Sequence, residues 1–312
     1  MRRGVSAVPP TPLLAVVLLA VLAVGCTREP ERQPVTEDPR RPTITIASFD
    51  FPESELLAEL YGQALQGHGY PVEQVTRLGI REVVDPALLQ GKVDLVPEYL
   101  GSALSFLQDR RYPATADPAL THARLRQLFG MRGVSVLAFS PAEDRNGFVV
   151  TGELSRRRGV KRLTDLAPIA GQLTFGGPPE CPERPLCLQG LRDIYGLQFE
   201  RFLPMPTRAV TAAALGTGEI DVGMIDTTDG SLPGKDLVQL RDDRRLQPAE
   251  NVVPAVRYKI VAAYGPALER LLNAASAQLT TADLAELNRV VAEGQQPAAV
   301  AASWLRSHTI ID

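Results

Sequence analysis

At 312 residues, with 45% hydrophobic and 22% charged side chains, the chain is long enough to bury the cores of one large or two medium lobes. Its 33 basic and 36 acidic side chains give a formal net charge of −3 with no basic run and no aromatic-basic interleaving, which sets nucleic acid aside as a partner. G-x-S-x-G, HExxH, P-loop and Gly-rich dinucleotide motifs are missing, which sets aside the enzyme classes they serve.

Residues 1–25 open with two arginines followed by an apolar run from Pro12 to Gly25. The run is short for a membrane span of about 20 residues and has the layout of an export signal. It ends Ala23-Val24-Gly25-Cys26, similar to the lipobox of bacterial lipoproteins, which would leave Cys26 as a lipidated N-terminus. The usual Leu three positions before the cysteine is displaced to Leu22, so a plain secretory signal or an uncleaved anchor stays open as an alternative. Residues 26–42 read as a tether: between 27 and 42 stand four prolines, four basic and four acidic side chains, too little apolar surface to offset the entropy of ordering. Loss of Arg2 and Arg3 with the signal leaves 31 basic against 36 acidic side chains, a charge of −5.

In the body, TITIASF from Thr43 alternates as a strand, and the following segment places Leu56, Leu57, Leu60, Tyr61, Ala64 and Leu65 on one helical stripe. Strand, helix and strand follow up to Val96. VSVLAF and GFVVT bracket PAEDRN, where the chain crosses to a second lobe, and LVQLRDD with VVPAVRYKIVAAYG marks the return. Three helical segments close the chain, the second with Thr280 or Thr281 as its cap. This order predicts an α/β fold of two lobes: residues 43–143 form the first part of lobe 1, 144–249 form lobe 2, and 250–312 return to lobe 1. A ligand is expected in the crevice at the strand C-termini.

An internal repeat supports two similar lobes. GKVDLVPEYLGSAL at Gly91 is answered 127 positions later by GEIDVGMIDTTDG at Gly218, and the same offset matches Gly69 with Gly196 and Ala87-Leu88 with Ala214-Leu215. Asp94 and Asp221 fall at equivalent places, which suggests a repeated strand-end hydrogen bond rather than an acid-base pair. Asp226 with Glu250 is the other carboxylate pair an enzyme could use. Cys181 and Cys187, in ECPERPLC, read as a disulfide outside the cytoplasm; a metal site is the rival, although His68, His122 and His308 are scattered and no CxxC spacing occurs.

DPALLQGKVDLVPEYLGSAL, the Thr228-Asp229-Gly230 turn, LVQLRDDRRLQPAENVVPAVR and LTTADLAELN, in this order, resemble the substrate-binding proteins of ABC importers for glycine betaine, choline, carnitine and related quaternary amines. The resemblance runs from about Thr43 to Asp312. It implies a periplasmic-binding-protein-like (Venus flytrap) fold, a small-molecule ligand held between the lobes, permease and ATPase partners, a lipid anchor at the extracytoplasmic face of the membrane, a monomer, and neither catalytic residues, metal nor cofactor. Carried across residue by residue, it places Tyr99 with its ring against a methylated ammonium and Ser102 at the other end of the ligand. Asn146 and Phe148 fall at the first crossing, Thr228 in its turn, and Arg184 at a basic position for a ligand carboxylate. Two cage tyrosines of the family fall on Asp226 and Glu250, and a lysine falls on Phe49. These departures make the expected pocket more negative, with only Arg184 and Arg145 as protein counterions, and favour a cation or a zwitterion with an extra basic group. Asp50 and Glu53 either edge the cleft or cap the following helix, and Glu98 is expected to be structural or solvated. A sensory or other binding lipoprotein using the same cleft is the alternative reading.

Overall fold

The computed structural model describes Met1 and residues 41–107 and 114–312. Cys26, and nearly all of the export-signal and tether segments, lie outside the described residues. The first sheet is built from β1 (Ile44–Phe49), α1 (Pro52–Gly67), β2 (Val72–Gly79), α2 (Arg81–Gln90), β3 (Leu95–Tyr99), α3 (Leu100–Leu107), α4 (Pro118–Gly130) and β4 (Val134–Val136). The chain then crosses to β5 (Asn146–Thr151), α5 (Gly152–Arg158), β6 (Thr174–Gly177), α6 (Leu188–Tyr195), β7 (Arg201–Pro204), α7 (Arg208–Thr217), β8 (Val222–Asp226) and β9 (Leu237–Gln239). It returns as β10 (Val252–Arg257) and ends in α8 (Tyr258–Tyr264), α9 (Pro266–Gln278), α10 (Thr281–Ala292) and α11 (Pro297–Ser307).

The strand orders are β2-β1-β3-β10-β4 and β7-β6-β8-β5-β9. In each sheet three strands run parallel and the fourth, the one that has just crossed over, runs antiparallel to the third. The two crossings meet in an isolated antiparallel bridge between Glu143 and Asn251. Two α/β units joined by two crossings are therefore the architecture of the body, as the alternation of strands and helices predicts.

The repeat has a physical basis at the far end of the strands. Gly91 and Gly218 both close their helices in the left-handed region, at φ 77° and 74°, where a side chain would be strained. The chain then turns into β3 or β8 through an aspartate. Asp94 accepts from the Thr45 N–H at 3.2 Å and Asp221 from the Thr174 N–H at 2.8 Å. Their own N–H groups donate to the carbonyls of the same threonines, at 2.7 and 2.9 Å. These are the repeated strand-end hydrogen bonds read from the sequence, and they fix the register of the central strand in each sheet.

All six residues of the α1 stripe are buried, against β1 and β3 on one side and the C-terminal helices on the other. The second sheet has its own core around Phe148, Phe175, Leu191 and Val222. Thr280 caps α10 through a reciprocal pairing with Asp283. Among the described residues no helix is long and apolar enough to cross a membrane.

Replacing Asp221 by Ala leaves the Thr174 N–H without its side-chain acceptor and should destabilise the fold by about 1–3 kcal/mol. A urea unfolding curve measures this; a midpoint equal to that of the unmodified protein would show that the strand-end bond does not hold the second sheet.

Candidate functional site

The C-terminal ends of β1 and β3 open onto a cavity of about 330 Å³ lined by Phe49, Phe51, Arg81, Tyr99, Ser102 and Asp144, with Asp50 at its exposed edge. Phe49 and Phe51 stack with centroids 5.9 Å apart, and Phe51 lies 6.2 Å from Tyr99. Arg81, at the first position of α2, would face an unfavourable helix dipole. It is compensated by an ion pair with buried Glu98 at 2.7 Å, and its guanidinium lies over the Phe49 ring at 4.7 Å. The Phe49 ring is thus covered by a guanidinium whose charge is paired with Glu98. Behind Arg81 the Asp85 carboxyl is pushed up to about 10 by burial and by Glu98.

Tyr99 engages its hydroxyl with the buried Glu53. It donates to Glu53 at 2.6 Å, and the other Glu53 oxygen accepts from Asn288 of α10 at 2.5 Å. The same Asn288 nitrogen donates to the Thr228 carbonyl at 2.9 Å, so the network ties the first unit to the turn after β8. Glu53 caps no helix: Phe51 is the N-cap of α1 and makes no side-chain bond. Gly230 belongs to this contact as well, because a Cβ there would sit 2.5 Å from the Arg289 backbone nitrogen.

Acidic groups crowd this point. Burial raises the Glu53 carboxyl and, with the Glu53 charge, the Tyr99 phenol. Asp144 is pushed up to about 8, first by burial and then by Glu53 and Asp226, and its Oδ1 has no hydrogen-bond partner. Glu250 is pushed up to about 7 by burial although Ser102 donates to it through its N–H at 3.0 Å and its hydroxyl at 3.1 Å. Toward a ligand Ser102 Oγ therefore has only acceptor capacity.

A second cavity, of about 810 Å³, is lined by Ser105, Asn146, Arg184, Arg208, Arg245 and Gln247 among others. Arg208 grips Asp226 through two bonds, of 3.0 and 2.9 Å. Gln247 donates to the Leu186 carbonyl at 2.8 Å and accepts from Asn146 at 3.2 Å, which joins the return crossing to the loop closed by the Cys181–Cys187 disulfide. Arg145 pairs with Glu143 at 3.0 Å.

The residues singled out in the sequence divide accordingly. Tyr99, Ser102 and Asp50 line the smaller cavity; Asn146 and Arg184 line the larger one, with Asp226 beside it on Arg208. Glu250 lies behind Ser102, and Thr228, 2% exposed, is held in the turn on α10. Phe148 reaches neither cavity: it is 1% exposed and packs beside Phe175 in the second core. The supposition that only Arg184 and Arg145 could balance the acids is also corrected, since Asp226 is neutralised by Arg208 and Arg145 is engaged by Glu143. Phe51, Arg81, Asp144, Arg208 and Gln247 escaped the sequence reading. A signal for two of them was present: the repeat offset of 127 that relates Gly91 to Gly218 also relates Arg81 to Arg208.

The model of the substrate-binding domain of ABC-type glycine betaine transport systems matches residues 42–307. A glycine-betaine-binding protein of Pseudomonas aeruginosa is 29% identical over 86% of this chain and 89% of its own length. The glycine betaine-binding protein YehZ of Escherichia coli K12 is 28% identical over 84% of this chain and 90% of its own. A crystal structure of a glycine betaine/carnitine/choline ABC transporter protein superposes with a TM-score of 0.79 at 23% identity, over 86% of this chain and all of that one. The chain therefore belongs to the family of substrate-binding domains of ABC-type glycine betaine transport systems.

Proposed function

We propose that this protein captures a quaternary ammonium solute between its two lobes and delivers it to the permease of an ABC importer, acting as a binding protein without catalysis. The observation that carries this reading is the ring of Tyr99 beside Phe51 in a cavity edged by Asp144 and Asp50, with the phenol hydroxyl engaged by Glu53. A methylated ammonium has no N–H to donate, so aromatic faces and a nearby negative charge are what can hold it, at about 0.5–2 kcal/mol per ring when desolvated. The boundaries proposed for the chain are a signal at 1–25, a tether at 26–42 lipidated on Cys26, lobe 1 at 43–143 and 250–312, and lobe 2 at 144–249. The same proposal takes the protein as a monomer anchored on the extracytoplasmic face and partnered by permease and ATPase subunits. The export-signal pattern and the Cys181–Cys187 disulfide support that compartment.

Tyr99→Ala should weaken binding of choline or glycine betaine at least several fold in calorimetric titration. Tyr99→Phe keeps the ring but removes a donor from buried Glu53, so it should retain most of the affinity while costing about 1–3 kcal/mol of stability. Equal loss of affinity in both variants would assign the role to the hydroxyl.

Closure is the second expectation. Lobes joined by two crossings should yield a smaller radius of gyration in solution scattering with saturating ligand than without. An unchanged profile counts against capture between the lobes.

A third expectation concerns pH. Asp144 and Glu250 have folded values raised to about 8 and about 7, above the ordinary carboxylate range. Between pH 4 and 8 the folded state thus binds more protons than the unfolded one, and the stability this contributes is present at low pH and lost as pH rises. A cationic ligand favours the ionised carboxylates, so its affinity should rise from pH 6 to 8, by at most about tenfold per unit for one proton released. Asp144→Asn should flatten part of both trends, with Glu250 retaining its share of each and Asp85, raised to about 10, its share of the stability trend alone; pH-independent affinity in the unmodified protein would remove Asp144 from the ligand's surroundings.

A further inference from the structure

We propose that the pole of the first unit opposite the ligand cavity is a contact surface for anionic lipid headgroups, carried by α8 and the turns beside it. This rests on the anchored reading above for where the bilayer lies, and adds the face turned toward it.

The strands define the pole. The smaller cavity stands at the C-terminal ends of β1 and β3, so the first residues of these strands mark the other end. Register brings Val256 of β10 opposite Leu95 of β3 and Ser135 of β4, and Arg257 opposite Val134. The α8 helix then lies across this end. Its first residue, Tyr258, donates its N–H to the Gly133 carbonyl at 2.9 Å, just ahead of β4. Its last residue, Tyr264, donates its hydroxyl to the Pro42 carbonyl at 2.7 Å, just ahead of β1. Ile260 and Tyr264 are buried, and Tyr258, Lys259, Ala262 and Ala263 form the exposed face.

Cations collect along this face. The Arg257 guanidinium fills the space over Gly91, where a Cβ would sit 1.6 Å from its Nη1, and so adjoins exposed Lys92. Lys259 pairs with Asp94 at 2.8 Å and keeps half of its side chain exposed. Arg132 donates to the Leu128 carbonyl at 2.8 Å, and Arg41 lies over the Tyr264 ring at 5.6 Å. Two large side chains stand out among them: Met131 is 68% exposed and Tyr258 is 47% exposed, with the Tyr258 hydroxyl 3.0 Å from where a Cβ on Gly130 would be. Arg41, Lys92, Arg132, Arg257 and Lys259 thus stand against Asp94, on a chain whose formal net charge is −3. The other acids toward this end lie to the sides: Glu73 on the opposite edge strand β2, Glu269 in a cavity shared with Arg126, and Asp312 beyond Ile311, which lies against Gly67 at the end of α1.

An anionic bilayer is the occupant that fits both the chemistry and the chain's path. Clustered Lys and Arg draw in anionic headgroups, and an exposed tyrosine and an apolar side chain beside them suit the boundary between headgroups and acyl chains. The chain enters this unit through Arg41 and Pro42, which are bound at the same pole by Tyr264. From Cys26 to Pro42 a fully extended chain reaches at most about 55 Å, so a lipid on Cys26 keeps this pole within reach of the bilayer.

The test places the mature lipidated chain on vesicles of phosphatidylcholine, with and without phosphatidylglycerol, each carrying a lipid with a dansylated headgroup. Trp304, the only tryptophan, is the energy donor; it stands near the end of α11, the helix that leads to Ile311 at this pole. Transfer should be about twofold or more greater with phosphatidylglycerol at low salt. It should fall to the phosphatidylcholine level in molar sodium chloride, where the Debye length shrinks to about 3 Å. Lys92→Glu combined with Arg132→Glu should remove the gain while leaving the urea midpoint and the affinity for choline unchanged. Equal transfer on both vesicles, or a gain that survives in the double variant, overturns the surface assignment and leaves the anchor in place. Should the exported chain carry no lipid, salt-sensitive transfer on phosphatidylglycerol vesicles alone supports the surface without the anchor, and no transfer on either kind overturns both.

Discussion

Glu53 is a carboxylate with 7% of its surface exposed, and Tyr99 and Asn288 both hydrogen-bond to it. An ionised carboxylate in such a place costs several kcal/mol unless donors replace its water. The two donors come from β3 and from α10, and Asn288 also donates to the Thr228 carbonyl in the turn after β8, so satisfying one carboxylate fixes the ring of Tyr99, a C-terminal helix and the nearest part of the second unit. The rest of the cleft is arranged around this point. Asp144 feels the Glu53 charge and is raised by it, Gly230 must be a glycine to let the turn approach α10, and the smaller cavity has its floor on the same tyrosine. Any movement that separates the turn from α10 breaks the Asn288 bond to the Thr228 carbonyl and with it the link from Glu53 to the second unit.

Much of the architecture was legible because it is local or periodic. Helical stripes, the Gly-Asp turns and the cap at Thr280 depend on residues within a few positions of one another, and the structure realises each of them. The repeat was legible for the same reason, and it extends further than its few identities suggest. The offset that relates Gly91 to Gly218 also relates α2 to α7 and β3 to β8, end to end. Arg81 and Arg208 then occupy the same place in the two halves, each at the first position of its helix and each held by a carboxylate at or near the end of the neighbouring strand.

What stayed hidden depends on long-range contacts. The loss of a lysine at Phe49 looked like the loss of a cation, yet Arg81, brought beside it by the fold, lies on the ring. Asp226 looked like an exposed negative charge because its partner is 18 residues upstream, on another element. Phe148 is the third residue of β5, close to the crossing, but the pleat turns its ring into the second core, and no local pattern distinguishes that face from the other. Asp144 sits in a crossing whose surroundings come from α1, β8 and the return segment. Charges in a cleft between two lobes are assigned by such pairings, and the sequence states only that the groups exist.

The cleft that results separates its chemistry: aromatic rings and protonatable carboxyls stand at the ends of β1 and β3, and guanidinium groups gather around the disulfide loop. In the proposed function a quaternary ammonium lies on the first of these surfaces. A crystal structure of the protein grown with 4-trimethylammoniobutanoate tests it most directly. The trimethylammonium group is expected within about 6 Å of the Tyr99 ring centroid, with Phe51 and Asp144 beside it. A trimethylammonium group placed among Arg184, Arg208 and Arg245, or outside the cleft, would contradict it.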